Sequence, residues 1–415
     1  MCAERLSRAG KAPVSRRIFA LRVLSAAAAP GLRVSGPVEI TGGPLNHFVA
    51  NHGPSSWDGR GRFLLVHQVD FCNREPKPGD SVTVGVIDRA AGGSFLPVGR
   101  STAWSWQWGT KAQWLPLAPD RWLLFNVRLK DGWGCRFYDV RSRTWKQIPF
   151  ALFSVSPRKT LGVSLNFSRI AWTAPGYGYV GVEDPYRYAP APDKDGLLLV
   201  DLVEGRETLA VTLDTLVRFE PKPVFGEAYH WVHDASFSPD GRLVAFLHRW
   251  RSPGGSEGAR VFTLSERGGK LRLLREMKLS CPLRWFGPNE LQIVDSVNEG
   301  GRGFFLMDVR SGASRPVAPE AFTTPGHAAF SPARRFLVTD CEPDRQGNQR
   351  LAVVSLGDQT VRELGRYPCP PPQEEGCRCY LRPHWDPTGR EVFFDGASGK
   401  GRQVYRCRAA GAGLW

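Results

Sequence analysis

The sequence lacks several features that would identify a protein class. No stretch of 18 apolar residues occurs among its 415 positions, so we expect no membrane-spanning helix. Acidic residues are fewer than basic ones, 40 against 55, yet no run of five basic residues occurs, and we expect no nucleic-acid partner. The surplus of positive charge favours an anionic partner such as an acidic glycan, although arginines scattered over a solvated surface would give the same surplus.

Two catalytic signatures are also missing. The sequence contains no Gly-x-Ser-x-Gly, which argues against an α/β-hydrolase domain. No P-loop or dinucleotide-binding fingerprint stands out. A functional site must therefore be sought in the arrangement of single polar residues.

Cysteine is present but does not indicate disulfides. The nine cysteines stand at positions 2, 72, 135, 281, 341, 369, 377, 379 and 407. Their odd number and wide spacing argue against a disulfide framework, and reduced thiols fit the cytoplasm, which we predict as the compartment. Cys369, Cys377 and Cys379 cluster, but no fourth ligand follows at zinc-finger spacing, so a loop with free thiols is favoured over a soft-metal site.

One phrase recurs in the second half of the chain. Residues 236–247, 329–339 and 384–394 each place an aromatic before a Ser-Pro or Asp-Pro turn, and an apolar run follows the turn. A unit that recurs at this spacing indicates a repeat architecture. Short apolar strands joined by turns rich in glycine and proline are typical of propeller blades. We therefore predict an all-β fold, a β-propeller with four strands in each blade.

The body of the chain divides into seven such units. They contain residues 51–97, 122–140, 154–205, 233–277, 282–312, 327–364 and 381–408. Residues 33–41 would supply the strand that closes the ring. Because the second, third and fifth units match less well, six and eight blades are alternatives to seven. We take residues 35–415 as a single propeller domain.

Residues 1–34 form a separate basic segment. Residues 15–19 read Ser-Arg-Arg-Ile-Phe, which resembles a twin-arginine export motif, and an alanine-rich stretch follows. Arg22 and Arg33 limit its apolar part to ten residues. The segment is either an export signal, which would place the protein in the periplasm, or a short basic helix on the rim of the propeller.

The repeated phrase resembles the blade signature of TolB-like propellers, and the plan of the chain resembles the oligogalacturonate-lyase type of seven-bladed propeller. The second resemblance implies a manganese ion, held by three histidines and a glutamine, that neutralises a uronate carboxylate. A basic residue would then remove the neighbouring proton in a β-elimination. The first resemblance implies a non-catalytic scaffold that binds a protein partner. Both resemblances are strongest over the last four units.

Polar residues precede the aromatic of several units, where the chain enters the innermost strand beside the channel. His233, His327 and His384 occupy such positions, and we predict that they converge as metal ligands. The alternative is that each histidine hydrogen-bonds a neighbouring blade. Arg382 and Arg249 are the candidate catalytic residues, either as the base or as bidentate partners of a carboxylate without a metal.

Further residues are candidates for binding a substrate. They are His52, His230, Tyr179 and Trp250, of which Tyr179 lies in a long loop whose aromatics would stack on sugar rings. Trp104, Trp106 and Trp108 alternate, so we expect them on one face of a strand, packed in the core; an exposed strip for binding is the alternative.

The last unit departs from the lyase pattern. It offers one histidine, His384, and Arg382, where the lyase family has two histidines and a glutamine. We predict a monomer that binds or cleaves an acidic polysaccharide at a channel mouth lined by histidine and arginine, with manganese as the cofactor of the lyase version. The scaffold for a protein partner is the alternative function.

Overall fold

Seven four-stranded antiparallel sheets make up the chain and form the blades of a propeller. The structure, a computed structural model, describes residues 36–50, 56–277, 282–296, 302–322, 324–398 and 401–409. The predicted all-β, seven-bladed propeller is confirmed. The basic segment 1–34 and His52 lie outside the described residues.

The strands of the first four blades are given from the channel outward. Blade 1 contains β2 (Asn46–Phe48), β3 (Phe63–Val69), β4 (Val82–Asp88) and β5 (Ser94–Ser101). Blade 2 contains β6 (Gln113–Trp114), β7 (Trp122–Arg128), β8 (Trp133–Asp139) and β9 (Thr144–Ile148). Blade 3 contains β10 (Ser154–Val155), β11 (Leu161–Ser164), β12 (Gly196–Asp201) and β13 (Arg206–Thr212). Blade 4 contains β14 (Tyr229–Phe237), β15 (Leu243–Arg251), β16 (Glu257–Ser265) and β17 (Arg272–Met277).

The last three blades follow the same order. Blade 5 contains β18 (Arg284–Trp285), β19 (Glu290–Ser296), β20 (Arg302–Asp308) and β21 (Ser314–Val317). Blade 6 contains β22 (Pro325–Phe330), β23 (Phe336–Cys341), β24 (Asn348–Ser355) and β25 (Val361–Pro368). Blade 7 contains β26 (His384–Trp385), β27 (Glu391–Ser398), β28 (Gly401–Arg408) and, as its outermost strand, β1 (Val38–Glu39).

The repeated phrase forms the turn that connects the innermost strand of a blade to the second strand. Gly241 in the first copy has a positive φ of 70°, which glycine adopts without a steric penalty. Its N–H donates to the Ser238 carbonyl at 2.8 Å, and the Ser238 hydroxyl accepts from the Leu243 N–H at 3.0 Å. The turn therefore satisfies its own polar groups.

The aromatic before the turn joins neighbouring blades. The Trp385 indole N–H donates to the Ala329 carbonyl of blade 6 at 3.1 Å. The Trp285 indole donates to the Ser236 carbonyl of blade 4 at the same distance. An indole supplies apolar surface and one donor, so it can pack between sheets without a buried unpaired group.

The predicted closing strand is confirmed, over a shorter range. Of residues 33–41 the structure describes 36–41, and of these Val38–Glu39 form β1, which pairs antiparallel with β28. Gln403 on β28 is buried and holds the junction, since its side-chain carbonyl accepts from Thr41 at 2.7 Å and its amide donates to the Leu45 carbonyl at 2.9 Å. Its carbonyl oxygen also lies 3.0 Å from the His47 Nδ1. The end of blade 7 and the start of blade 1 are thereby fastened together.

The expectation for the alternating tryptophans was wrong in one respect. Trp104, Trp106 and Trp108 are buried, as expected, but they lie in the connection between β5 and β6 and not on a strand. Trp104 and Trp106 pack against each other with ring centroids 5.2 Å apart.

In the described part of the chain, two α-helices interrupt the strands, and both are short. They are α1 (Phe167–Thr173), between β11 and β12, and α2 (Leu213–Arg218), after β13. Among the described residues no helix is long and apolar enough to cross a bilayer.

Gln403→Ala tests the closure of the ring. We expect the free energy of unfolding to fall by about 3 kcal/mol, because the substitution leaves buried partners of the amide unsatisfied. Equilibrium unfolding in urea measures the change. Gln346→Ala, at an exposed position, is the matched control and should change stability by less than about 0.5 kcal/mol. Equal effects of the two substitutions would show that Gln403 does not secure the closure.

Candidate functional site

The topology gives the central channel two different ends. At one end, here called the entry end, the chain enters each innermost strand; at the other, the turn end, lie the turns that follow those strands. A cavity of about 580 Å³ occupies the channel. Its lining includes Pro157, Pro239 and Pro332 from the turns of three blades, so the cavity extends to the turn end.

Three connections meet over the entry end. They are residues 102–112, 165–195 and 369–383, which belong to different sides of the ring. The Gln107 N–H donates to the Gly176 carbonyl at 3.1 Å, and the Gln107 side-chain amide donates to the Gly376 carbonyl at 2.8 Å. A Cβ on Gly176 would lie only 2.6 Å from the Gly376 Cα, so these two backbones require glycine at their contact. These three connections are therefore held to one another at the entry end.

The cavity wall carries more basic than acidic side chains. The lining contains the basic residues Lys111, Arg284, Arg334 and Arg382 and the acidic residues Asp234 and Asp386, together with His327 and His384.

Arg382 is buried and presents unused donors. Its backbone has a φ of 45° and its N–H donates to the Asp340 carboxylate at 3.0 Å. Its Nη1 donates to the carbonyls of Trp106 and Gln107 in the loop over the entry end. Its Nε and Nη2 are buried and have no hydrogen-bond partner within the described chain. Burial lowers the pKa of this guanidinium.

Lys111 lies on the same cavity and was not predicted from the sequence. It is only 4% exposed, and its ammonium lies 3.6 Å from the centroid of the Phe153 ring. Burial lowers the pKa of Lys111 to about 7; the charge of Asp234 opposes this shift, and the charges of Arg284 and Arg382 add to it.

Two of the three predicted metal ligands line the cavity. His327 Nδ1 lies 3.1 Å from an Asp340 carboxylate oxygen, and its ring packs on Tyr380 with centroids 4.8 Å apart. His384 Nε2 is buried without a partner in the described residues. Burial, and then the charges of Arg284 and Arg382, lower the pKa of His384 to about 3.

His233 points away from the other two. Its ring packs between Trp108 and Tyr177, with centroid distances of 4.7 and 5.0 Å, and it does not line the cavity. Burial lowers its pKa well below the ordinary value. The neighbouring residue Asp234 lines the cavity instead, because it forms a β-bulge with a φ of 51°.

Arg249 also stands apart from the cavity lining. Its Nη2 lies 3.2 Å from the Glu257 carboxylate, and its guanidinium stacks over the Trp231 ring at 5.1 Å. Its charge contributes to the lowered pKa of His233, so these two candidates are near each other. The structure thus brings Arg382, His327 and His384 together and leaves Arg249 and His233 on another side of the wall.

The described substrate-binding candidates lie in the core. Tyr179 is fully buried, stacks on Phe167 at 4.3 Å and accepts a hydrogen bond from Asn126 at 3.0 Å. His230 is fully buried, with its Nδ1 2.9 Å from a nitrogen of His248. Trp250 is 6% exposed and packs on Phe225. These positions give a ligand in the channel no access to the three side chains.

The donor set around His327 and His384 does not fit a divalent metal ion. In the part of the chain that the structure describes, no three His, Cys, Asp or Glu side chains are grouped as metal ligands would be. Asp340, the nearest carboxylate to His327, already accepts hydrogen bonds from His327 and Arg382. The guanidiniums of Arg284 and Arg382 lower the pKa of His384, and the same positive field would repel a cation.

A signal in the sequence could have found the missed residues. Lys111, Asp234, His327 and Arg382 each stand three positions before the aromatic of their unit. Arg284 and His384 each stand one position before it. All six of these residues line the channel, although the positive φ of Lys111, Asp234 and Arg382 departs from the regular alternation of a strand.

Comparison with known proteins finds likeness at the level of fold. No family model matches the chain, and no curated sequence matches it. A structure of oligogalacturonate lyase in complex with manganese covers 91% of this chain and 95% of its own length, with 15% identity and a TM-score of 0.63. The match to the oligogalacturonate lyase of Vibrio parahaemolyticus covers 90% of this chain and 93% of that protein, with 11% identity and a TM-score of 0.63.

A second propeller type is also similar. TolB from Acinetobacter baumannii covers 80% of this chain and 78% of its own, with 11% identity and a TM-score of 0.40. The predicted resemblance to oligogalacturonate-lyase-like propellers is confirmed as a resemblance of fold by the two lyase structures.

The buried neutral His384 predicts a pH dependence of stability. The unfolded chain binds a proton at this residue below about pH 6.5, whereas the folded protein does so only near pH 3. The contribution of the neutral His384 to the free energy of unfolding is therefore complete above pH 6.5 and is lost as the pH falls toward 3. Between pH 7 and pH 4 we expect the free energy of unfolding of the unsubstituted protein to fall by about 3 kcal/mol relative to His384→Gln. Parallel urea unfolding curves at both pH values measure this, and identical pH dependences would contradict a neutral imidazole.

Proposed function

We propose that the channel cavity binds an acidic carbohydrate through its carboxylate, without a metal ion. The observation that carries this proposal is the unused edge of the Arg382 guanidinium. Nε and Nη2 point to the same side of the group and have no partner within the described residues, and Arg382 is one of the residues that line the cavity. A buried guanidinium with two unsatisfied donors favours a planar anion that accepts both hydrogen bonds.

The same protein shows what this edge of an arginine binds. Arg62 uses its Nε and Nη2 to donate to the two carboxylate oxygens of Asp88, at 2.9 and 2.6 Å. A uronate carboxylate placed at Arg382 would make the same two bonds. The other cations of the wall, Lys111 and Arg284, add to the attraction because charges act strongly where little water is present.

Two further features support a sugar as the carrier of the carboxylate. Trp285, Phe237 and Phe330 contribute to the lining, and aromatic rings pack well against the apolar faces of sugars. The fold is also that of proteins named as oligogalacturonate lyases, whose name refers to an acidic sugar. The proposed carbohydrate therefore has an uronic acid at the residue that enters the cavity.

The compartment is proposed on separate grounds. Seven described cysteines are free thiols, which a reducing cytoplasm would maintain. The periplasmic alternative depends on residues 15–19, which lie outside the described residues.

Arg382→Gln tests the binding site. Trigalacturonate is the probe, and a neutral trisaccharide, maltotriose, is its uncharged counterpart. We expect trigalacturonate to bind the unsubstituted protein and maltotriose to bind at least tenfold more weakly. Loss of two charge-assisted hydrogen bonds should weaken trigalacturonate binding by about 10-fold to 100-fold, measured by isothermal titration calorimetry.

Arg345→Gln is the matched control, because Arg345 is exposed and does not line the cavity. It should bind trigalacturonate as the unsubstituted protein does. If Arg382→Gln binds equally well, the site is elsewhere. If trigalacturonate does not bind at all, and a stoichiometric protein partner co-purifies from native extract, the scaffold function replaces the proposed one.

Metal removal gives an independent test. We expect trigalacturonate to bind equally after dialysis against a chelator, because the carboxylate is held by arginine and not by a metal ion. Elemental analysis of protein purified without a histidine tag should be repeated on His327→Ala. One equivalent of manganese, iron or zinc that is lost in His327→Ala would establish a metal site and contradict the proposal.

A further inference from the structure

We propose that the turn end of the propeller is a docking face for an anionic membrane surface. The inference does not rest on the proposed function, because it concerns exposed side chains around the channel and not the cavity within it. It adds a partner, the phosphate headgroups of a lipid bilayer, and the face of the ring that contacts them.

The first argument is the unequal charge of the two ends of the ring. The turns that follow the seven innermost strands contain nine arginines and lysines against four aspartates and no glutamate. These turns span residues 58–62, 115–121, 156–160, 238–242, 286–289, 331–335 and 386–390.

The loops between the second and third strands, at the entry end, differ in charge. Where the structure describes these loops in full, they contain seven basic and ten acidic residues. They span residues 70–81, 129–132, 165–195, 252–256 and 342–347. The turn end is therefore basic, and these loops of the entry end are not.

The second argument is the direction in which the charged groups face. Eight of the nine basic residues in the turns are exposed, whereas two of the four aspartates are buried and two are partly buried. The buried aspartates hold the turns from inside, since Asp58 accepts the Arg62 N–H at 2.7 Å and Asp386 accepts the Arg390 N–H at 2.8 Å. An approaching anionic surface therefore meets guanidiniums before carboxylates.

Ion pairs within the turns do not remove this charge. The Arg60 side chain is 73% exposed although its guanidinium lies 3.2 Å from Asp120, and the Arg242 side chain is 77% exposed although it lies 3.8 Å from Asp240. Exposed ion pairs are weak, so a phosphate can bind the same guanidiniums.

The third argument is that the turns form one surface. The Gly59 N–H donates to the Pro119 carbonyl at 3.1 Å, which joins the turns of blades 1 and 2. The Arg334 guanidinium donates to the Trp285 carbonyl at 2.8 Å, which joins blades 6 and 5. Charges on such a ring of turns are spread over a plane. A bilayer presents phosphates over a plane, whereas a linear polyanion follows one line and contacts the turns of only some blades.

Exposed aliphatic side chains at the same end also favour a bilayer. Leu117, in the turn of blade 2 that carries Arg121, is 46% exposed. Val203, between the third and fourth strands of blade 3, is 75% exposed. Such side chains can enter the boundary between headgroups and acyl chains while neighbouring guanidiniums bind phosphate.

Binding to vesicles tests the docking face. We expect the full chain to sediment with phosphatidylcholine vesicles that contain about 30% phosphatidylglycerol, and not with phosphatidylcholine alone. Substituting Arg242→Gln, Arg335→Gln and Arg390→Gln together should weaken this binding about 100-fold, since each basic residue near an anionic surface contributes about fivefold.

The matched control combines Lys77→Gln, Lys130→Gln and Arg345→Gln. These three residues are exposed at the entry end, so the control loses the same net charge from the other face. It should bind the anionic vesicles within about twofold of the unsubstituted protein. Equal losses in the two triple variants would show that binding follows net charge and not the turn end, which would overturn the inference. None of the six residues lines the cavity, so the tests with trigalacturonate are decided separately.

The aliphatic side chains give a second test. Leu117→Ser combined with Val203→Ser should weaken vesicle binding about tenfold, because less apolar surface enters the bilayer. Tyr188→Ser is the control, since Tyr188 is 88% exposed in a loop at the entry end, and it should bind as the unsubstituted protein does. Urea unfolding establishes that each variant folds. If the protein does not bind the anionic vesicles, or if it binds a short DNA duplex through the same arginines and not the vesicles, the inference is overturned.

Discussion

Hydrogen bonds from a backbone N–H beside the innermost strand of one blade to a buried side-chain acceptor of the preceding blade hold the ring together. They occur at five junctions of the ring, where the backbone N–H donates from Thr110 to His67, Leu152 to Asn126, Leu283 to Asp234, Arg382 to Asp340 and Val49 to Asp395. An entering strand has N–H groups that no strand of its own sheet can satisfy, and each such group is costly if it is buried without a partner. The acceptors solve this problem and fix the rotation of each blade against its neighbour.

The candidate site follows from the same junctions. Asp340 accepts the backbone N–H of Arg382, whose φ is 45°, and the Arg382 guanidinium donates to the Gln107 carbonyl in the connection to blade 2. Asp234 combines both roles, since its carboxylate accepts the Leu283 N–H and also lines the cavity. The positions that join the blades are therefore also the positions that supply charge to the channel.

Burying several positively charged side chains close together is unfavourable for folding. This cost is an argument that the buried charges serve a function. Burial lowers the pKa of both Lys111 and Arg382, because removing their positive charges from water is unfavourable. Perturbed groups of this kind are enriched where a ligand of opposite charge binds or where protons are transferred. Charges buried in this way would attract the proposed anion more strongly than charges exposed to water.

The sequence by itself determined the architecture of this protein. Turn residues, apolar strand runs and the aromatic before each turn are local features, so they predicted the blades, their number and the closing strand. The sequence also identified Arg382, His327 and His384 as residues of the channel. Only the tertiary structure decided which neighbouring side chain faces the channel, because a β-bulge moves every following residue to the other face and exchanged His233 for Asp234. It alone showed that Tyr179 is core and that Lys111 and Arg382 line one cavity, since both facts depend on segments far apart in the chain.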